Sequence, residues 1–332
     1  MRLLATGISG VAKLETLEQV ARYLKEKKNQ DLEILDVWTY IQKVAKNLRI
    51  QVTKEKILDD QRVDLLRPLA FEDISKTLAQ IPNGPTSHAV IATHGCFRWN
   101  KYLRRGFDVH YLNQIDPDVY VNIIDDVHLI KNRLEQDSQW KARLSAPEVI
   151  TWRDEETFLT ETFAEFQRKS FYLLARSEPP ETLGNLIGEP AMKKIYLSYP
   201  ITAIEKQKPE LLEEAEQFAH ELRSKFVVFN PLSIKDLVAH PSGGDEVMKE
   251  LRENTVWRDF KLIRQSDIVV VYYPVEFNSP GVNQEIAYGF AHEKQVYLYY
   301  PHSLSPFWSE DVSVTARFDK FEELRNYLLN EL

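Results

Sequence analysis

Residues 257–300, WRDFKLIRQSDIVVVYYPVEFNSPGVNQEIAYGFAHEKQVYLYY, hold one complete structural unit and set the reading of the rest of the chain. A short helical pattern ends at Ser266-Asp267 and gives way to the apolar run IVVVYY at 268–273, which breaks at Pro274. Beyond Asn278-Ser279-Pro280-Gly281 the pattern predicts a helix from about Val282, with Glu285 in its first turn, then a second apolar strand at 295–300. Strand, loop, helix and strand, with both strands continuously apolar, predict a parallel sheet covered on both faces. Ligands of such sheets bind beyond the carboxyl ends of the strands, where the 278–281 loop and Glu285 fall.

A carboxylate in the first turn of a helix is ordinarily explained by the macrodipole. Here a second carboxylate, Asp259, precedes the strand, and an aromatic hydroxyl, Tyr196, lies upstream in KKIYLSYPITA. Two acids and a tyrosine at one sheet edge suit chemistry at a sugar carbon. One acid attacks or stabilises an oxocarbenium centre while the other assists the leaving group.

On these residues the segment 192–332 resembles the nucleoside 2-deoxyribosyltransferase superfamily, which includes the 2'-deoxynucleoside 5'-monophosphate N-hydrolases. The resemblance implies that Glu285, in the context Gly281 to Glu285, is the nucleophile on C1' of the sugar, with Asp259 and Tyr196 positioning it and the base. It makes Ser279 the discriminating position: members acting on unphosphorylated nucleosides carry Asp there, and the nucleotide hydrolases carry Ser. A carboxylate about 4 Å from a phosphate would cost on the order of 4 kcal/mol per charge pair at an effective dielectric of about 20. A Ser hydroxyl with neighbouring amides at a helix start would attract the anion instead. Gly281, Pro200, Asn230 and His240 complete the expected substrate side. The chain departs from the hydrolases at Tyr199-Pro200-Ile201-Thr202, where they carry a Gly-rich turn with an Arg.

The chain has 332 residues, 43% hydrophobic and 28% charged, enough for two ordinary cores. A formal charge of -8 disfavours a nucleic-acid partner. The single cysteine, Cys96, excludes an internal disulfide and a cysteine-rich metal site and fits a reducing cytoplasm. No run approaches the length of a membrane span, and the opening MRLLATGISG reads as a strand and glycine turn rather than a signal peptide.

In the N-terminal half a short strand precedes Gly7-Ile8-Ser9-Gly10-Val11-Ala12-Lys13 and a helical pattern at 14–27, the layout of a phosphate-cradling loop. Ala12 replaces the last Gly of that motif and Leu14 the Ser or Thr. Strands are expected at 33–37, at 88–93 (HAVIAT) and at VYVNII after Asp118, the last followed by a helix carrying Arg133, Asp137 and Arg143. This order resembles nucleoside monophosphate kinases, the archaeal-type adenylate kinases in particular, over about 1–176. The resemblance makes Gly7, Gly10 and Lys13, with lid residues Arg133 and Arg143, the nucleotide-binding set. Where those enzymes anchor Mg²⁺ this chain has Leu14 and Ala92, and phosphoryl transfer rests on metal and positioned charge. The half is therefore expected to bind a nucleotide without phosphorylating it. Arg98, Arg104 and Arg105 add positive charge nearby, and His94 has no metal partners at a recognisable spacing.

Pro179-Pro180, Gly184, Gly188 and Pro190 punctuate 177–191, the expected linker. The architecture expected is α/β, with two doubly wound parallel-sheet domains: a kinase-like P-loop domain at 1–176 and a deoxyribosyltransferase-like N-glycosidase domain at 192–332. The activity expected is hydrolysis of the N-glycosidic bond of a 2'-deoxynucleoside 5'-monophosphate, with no metal or cofactor, in a cytoplasmic homo-oligomer. Ser303, Ser305 and Trp308 are candidates for a subunit contact. Alternatives are transfer of deoxyribose between bases, cleavage of NAD by the same carboxylates, and a catalytically silent regulatory protein that binds nucleotide.

Overall fold

The computed structural model describes residues 1–82, 84–100, 102–234, 236, 245–302 and 312–332. Two compact units divide the chain: residues 1–180 with 234–253, and 181–233 with 254–332.

The first unit is built on a five-stranded, wholly parallel sheet in the order β2-β3-β1-β6-β7. Its strands are β1 (Arg2–Thr6), β2 (Asp31–Asp36), β3 (Ser87–Ala92), β6 (Val119–Ile124) and β7 (Ser170–Ala175). A two-stranded antiparallel hairpin, β4 (Cys96–Trp99) and β5 (Tyr102–Arg105), follows β3. The glycine loop after β1 leads directly into α1 (Lys13–Tyr23). Gly7 adopts φ +148°, and a Cβ there would stand 2.6 Å from the carbonyl oxygen of Ile123, so a side chain would force β1 and β6 apart.

Local signals start the helices where side-chain oxygens satisfy otherwise orphaned N–H groups. Asp36 accepts from the Thr39 N–H at the head of α2 (Val37–Asn47). Ser145 and Glu148 form a reciprocal capping box at the head of the helix Ala146–Gln167. That helix packs on β6 and β7. The helix after β6, Val127–Gln136, carries Arg133 but ends before Asp137 and Arg143. The segment 234–253 returns to this unit: Asp236 accepts from the Val127 N–H and pairs with Arg153 at 2.7 Å, and Leu251 joins the apolar core.

The second unit holds another five-stranded parallel sheet, in the order β12-β11-β10-β8-β9. Its strands are β8 (Lys194–Ser198), β9 (Val227–Phe229), β10 (Ile268–Tyr272), β11 (Gln295–Tyr299) and β12 (Ala316–Phe318). Numbered within the unit the order is 5-4-3-1-2, so the winding reverses between β8 and β10. That reversal opens a crevice at the carboxyl ends of these two strands. Every residue of β10 is buried, as expected of a central strand covered on both faces. Residues 177–191 are not an open tether: they contain the helix Pro180–Gly188, with Leu183 and Ile187 buried. The helix Pro280–Ala291 packs on β10 and β11, and Gly289 permits its approach. A Cβ on Gly289 would lie 2.9 Å from Cγ2 of Val269.

Candidate functional site

Tyr196 and Ser198 are two apart on β8 and so point to the same face of the sheet. Both are fully buried, and in register they stand beside Val269 and Val271 of β10. Their hydroxyls converge on Glu285: the Tyr196 hydroxyl donates to Oε1 at 2.9 Å, and the Ser198 hydroxyl donates to Oε2. Glu285 is thus held at both oxygens from one strand. It lies in the second turn of its helix rather than the first, because that helix starts at Pro280 and has no acid in its first turn. The macrodipole therefore does not explain its presence.

Asp259, on the helix Asp245–Arg264, supplies the second carboxyl. Its Oδ1 accepts from Arg258 Nε at 3.0 Å and lies 2.9 Å from the second Arg258 nitrogen. Burial pushes the Glu285 carboxyl up to about 8, the charge of Asp259 pushes the same way, and the two hydroxyls and Arg258 oppose the shift. Burial also raises Asp259, with Arg258 opposing, and Tyr196 is raised well above the ordinary phenol range by burial and by both carboxyls. Two buried acids influencing one another titrate as a pair. Their arrangement can present one carboxylate and one proton to the same substrate.

Ser279 is the N-cap of the helix that carries Glu285. Its Oγ accepts from the Val282 N–H at 3.4 Å, and its own N–H donates to the Tyr273 hydroxyl at 2.7 Å. Tyr273 in turn donates to the Phe277 carbonyl, so this buried tyrosine shapes the loop that delivers Ser279. Gly281 is exposed, and a Cβ there would meet nothing closer than Ser279 Oγ at 4.0 Å. Pro200 is buried at the head of the helix Ile201–Gln207. Asn230 accepts from the Tyr199 hydroxyl at 2.6 Å and from the Leu232 N–H at 3.0 Å, which braces the turn after β9. His240, Ser303, Ser305 and Trp308 lie outside the described residues.

In the first unit the glycine loop surrounds Lys13, whose Nζ bonds the Gly7 carbonyl at 3.1 Å and His94 Nε2 at 3.2 Å. Burial brings this lysine down to about 8, against the charges of Glu156 and Asp36. Lys13 lines a cavity of about 350 Å³ together with Ser9, Asp36, Trp38, His94 and Phe97. The Arg133 guanidinium closes on the loop from the other direction, bonding the Gly10 carbonyl at 2.8 Å and Asp125 at 2.7 Å. Arg143 stacks over the Trp99 ring at 4.1 Å and bonds Asn100. Of the other basic residues, Arg98 pairs with Glu155 at 2.5 Å and Arg104 with Asp64 at 3.2 Å.

Three residues that sequence reasoning missed are central. Ser198 shares strand and face with Tyr196, and a period of two from Tyr196 would have found it. Arg258 adjoins Asp259, but adjacency on a helix does not imply facing. Glu156, 1% exposed, accepts from the N–H groups of Gly7 (2.9 Å), Gly95 (2.8 Å) and Cys96 (2.8 Å). It looks like any other acid of an acidic helix, and only the two loops folding over it reveal its role.

Among the described residues no group of three or more His, Cys, Asp or Glu side chains could hold a metal ion. No helix among them is long and apolar enough to cross a membrane.

No protein-family model matches the chain, and no curated protein does. Among solved structures it is similar to a 2-deoxyribosyltransferase from the psychrotolerant bacterium Bacillus psychrosaccharolyticus, at 22% identity and a TM-score of 0.32, over 40% of this chain and 91% of that one. It is also similar to the shikimate kinase of Bacteroides thetaiotaomicron, at 16% identity and a TM-score of 0.35, over 57% of this chain and 98% of that one.

Proposed function

We propose that the second unit hydrolyses the N-glycosidic bond of a 2'-deoxynucleoside 5'-monophosphate. The observation that carries this reading is the buried Glu285 carboxyl, held at both oxygens by Tyr196 and Ser198 and within reach of the charges of the Asp259–Arg258 pair. A buried carboxyl with fixed orientation and a neighbouring acid has the parts that displacement at an anomeric carbon requires. Glu285 in its ionised form attacks C1', and the C–N bond breaks with its electron pair passing to the base. Asp259 orients Glu285 and assists the departing base, which takes up a proton from solvent. Water then attacks C1' of the glycosyl ester, its hydroxyl going to the sugar phosphate and its remaining proton to solvent, and the C–O bond to Glu285 breaks to free the carboxylate.

Ser279 and the Gly281 amide hold the 5' end. The cap bond to Val282 uses the Ser279 oxygen as an acceptor, so the hydroxyl proton is available for a phosphate oxygen. The helix that follows spans twelve residues, and its N-terminal end favours an anion.

The first unit, in the same reading, binds a nucleotide with Gly7, Gly10, Lys13, Arg133 and Arg143 and does not phosphorylate it. Lys13 at the wall of a 350 Å³ cavity supports the binding, and the apolar side chains of Leu14 and Ala92 support the lack of transfer.

The test is chromatography of deoxynucleotides, nucleosides and NAD after incubation with the wild type and with Glu285→Gln. Free base from a monophosphate in water, absent with the variant, is the expected result. Product that forms only when an acceptor base is present would replace hydrolysis by transfer, and nicotinamide release would replace the substrate by NAD. Equal turnover by Glu285→Gln would end the glycosidase reading.

A further inference from the structure

The acid pair poses a charge problem that the hydroxyls of Tyr196 and Ser198 cannot resolve. Glu285 accepts from Tyr196 and Ser198 of β8, and the charges of Asp259 and Arg258, on the helix Asp245–Arg264, act on it. Of these groups, Arg258 alone carries a positive charge. Hydroxyls can donate to a carboxylate, but they cannot cancel the repulsion between two ionised acids in a water-poor site. The guanidinium is 9% exposed and addresses a single oxygen of Asp259 through two nitrogens. That geometry ties Asp259 Oδ1 to the guanidinium by a charge-assisted contact.

We infer that Arg258 is a positioning residue for the acid pair: it fixes Asp259 and supplies the counter-charge that lets Glu285 ionise beside a second carboxyl. Counting Glu285, Asp259 and Arg258 alone, two ionised acids with the cation carry a net charge of −1. Without it the same two acids would carry −2, and the pair would retain a proton over a wider range of pH. The inference rests on the reading of Glu285 as the reacting carboxylate, but the physical part of it is measurable in the empty protein.

The experiment titrates the side-chain carboxyls of the full chain labelled with carboxyl-¹³C glutamate, with the Glu285 resonance assigned by its loss in Glu285→Gln. Wild type should show a Glu285 midpoint near 8. Arg258→Met should raise it by about one pH unit or more, and Arg258→Lys should fall between them, because the charge is kept while the two-nitrogen contact is lost. If turnover is found, the acid limb of kcat/KM should move with the midpoint. The rate of Arg258→Met at pH 7 should then fall about tenfold and recover at alkaline pH. An unmoved midpoint in a folded Arg258→Met, or equal displacement in Arg258→Lys and Arg258→Met, would overturn the assignment. Should Arg258→Met not fold, Arg258→Lys and Arg258→Gln give the same comparison of charge kept with charge lost. Equal turnover by wild type and Glu285→Gln would instead sink the glycosidase reading and leave the titration result standing.

Discussion

At the scale of single residues, the second unit's site consists of one carboxyl and the groups that decide its charge and direction. Removing a phenol hydroxyl that donates to a buried carboxylate removes an interaction worth about 1.5–3 kcal/mol. Tyr196→Phe should therefore lower kcat about tenfold or more in a nucleotide hydrolysis assay, and Ser198→Ala should act in the same direction, because each holds a different oxygen of Glu285. Glu285→Gln should abolish turnover while keeping the fold. A raised carboxyl also has a stability consequence. The native state keeps the Glu285 proton up to about 8, whereas the unfolded chain loses it near 4.5. The contribution is thus present below about pH 4.5 and is lost as pH rises to about 8. Lys13 shifts the other way: its native form releases its proton near 8 and the unfolded form near 10.5, so its neutralisation favours the folded state increasingly between those values. Urea midpoints across this range should show a Lys13→Met variant gaining least above pH 10, where wild-type Lys13 is already neutral. In the same unit Glu156→Gln places an amide N–H₂ among three backbone donors. About 1–3 kcal/mol of stability should be lost, read from chemical denaturation.

At the scale of elements, the helix Pro280–Ala291 brings both the proposed nucleophile and its proposed phosphate contact to the sheet. Two features set its position: the cap at Ser279 and the bare backbone at Gly289. Ser279→Ala should cost about 1 kcal/mol through the lost cap, and in the proposed reaction it should also raise KM for monophosphates more than for nucleosides. Gly289→Ala separates position from chemistry. Its methyl would press on Val269, whose neighbours are all buried, so the helix must lift or β10 must shift, at about 1–3 kcal/mol. A drop in kcat accompanying an unchanged preference for monophosphates is the expected result, since Glu285 would move relative to Tyr196 while Ser279 stays on its loop. Much of this was legible in the sequence. The run IVVVYY could only be a buried strand, and Tyr196, Asp259 and Glu285 fall near one rim once parallel strands are assumed. The helix begins at Pro280, two residues before the apolar pattern predicts, because Pro is favourable at N1 although it breaks that pattern. Ser198 follows from the period of two once Tyr196 is placed on its strand, but Arg258 was not legible, because the facing of a helix residue depends on packing that composition does not state. Glu156 shows the limit most clearly: nothing distinguishes it from its acidic neighbours until the loops after β1 and β3 aim their amides at it.

At the scale of the whole molecule, the chain carries the same construction principle twice, a five-stranded parallel sheet whose order reverses beside its first strand. The return of 234–253 to the first unit was not visible in the sequence, since periodicity reveals a helix but not the core on which it packs. The two sheets differ in what stands at the point of reversal. One presents a buried acid pair, and the other presents Lys13 enclosed by Gly7, His94 and Glu156. Phosphoryl transfer has little covalent chemistry for a protein to perform and depends on a metal ion and fixed charge around the moving phosphoryl group. Beside Lys13 the side chains of Leu14 and Ala92 offer no oxygen to such an ion. In our reading the first unit therefore binds without transferring. Incubation with ATP, Mg²⁺ and AMP should give no ADP above background, while AMP or ATP should still protect the chain in thermal-shift measurements, and Lys13→Met should lose that protection. ADP formation at ordinary enzymatic rates that disappears with Lys13→Met would show that the apolar substitutions leave transfer intact, and would require a metal anchor elsewhere in the unit.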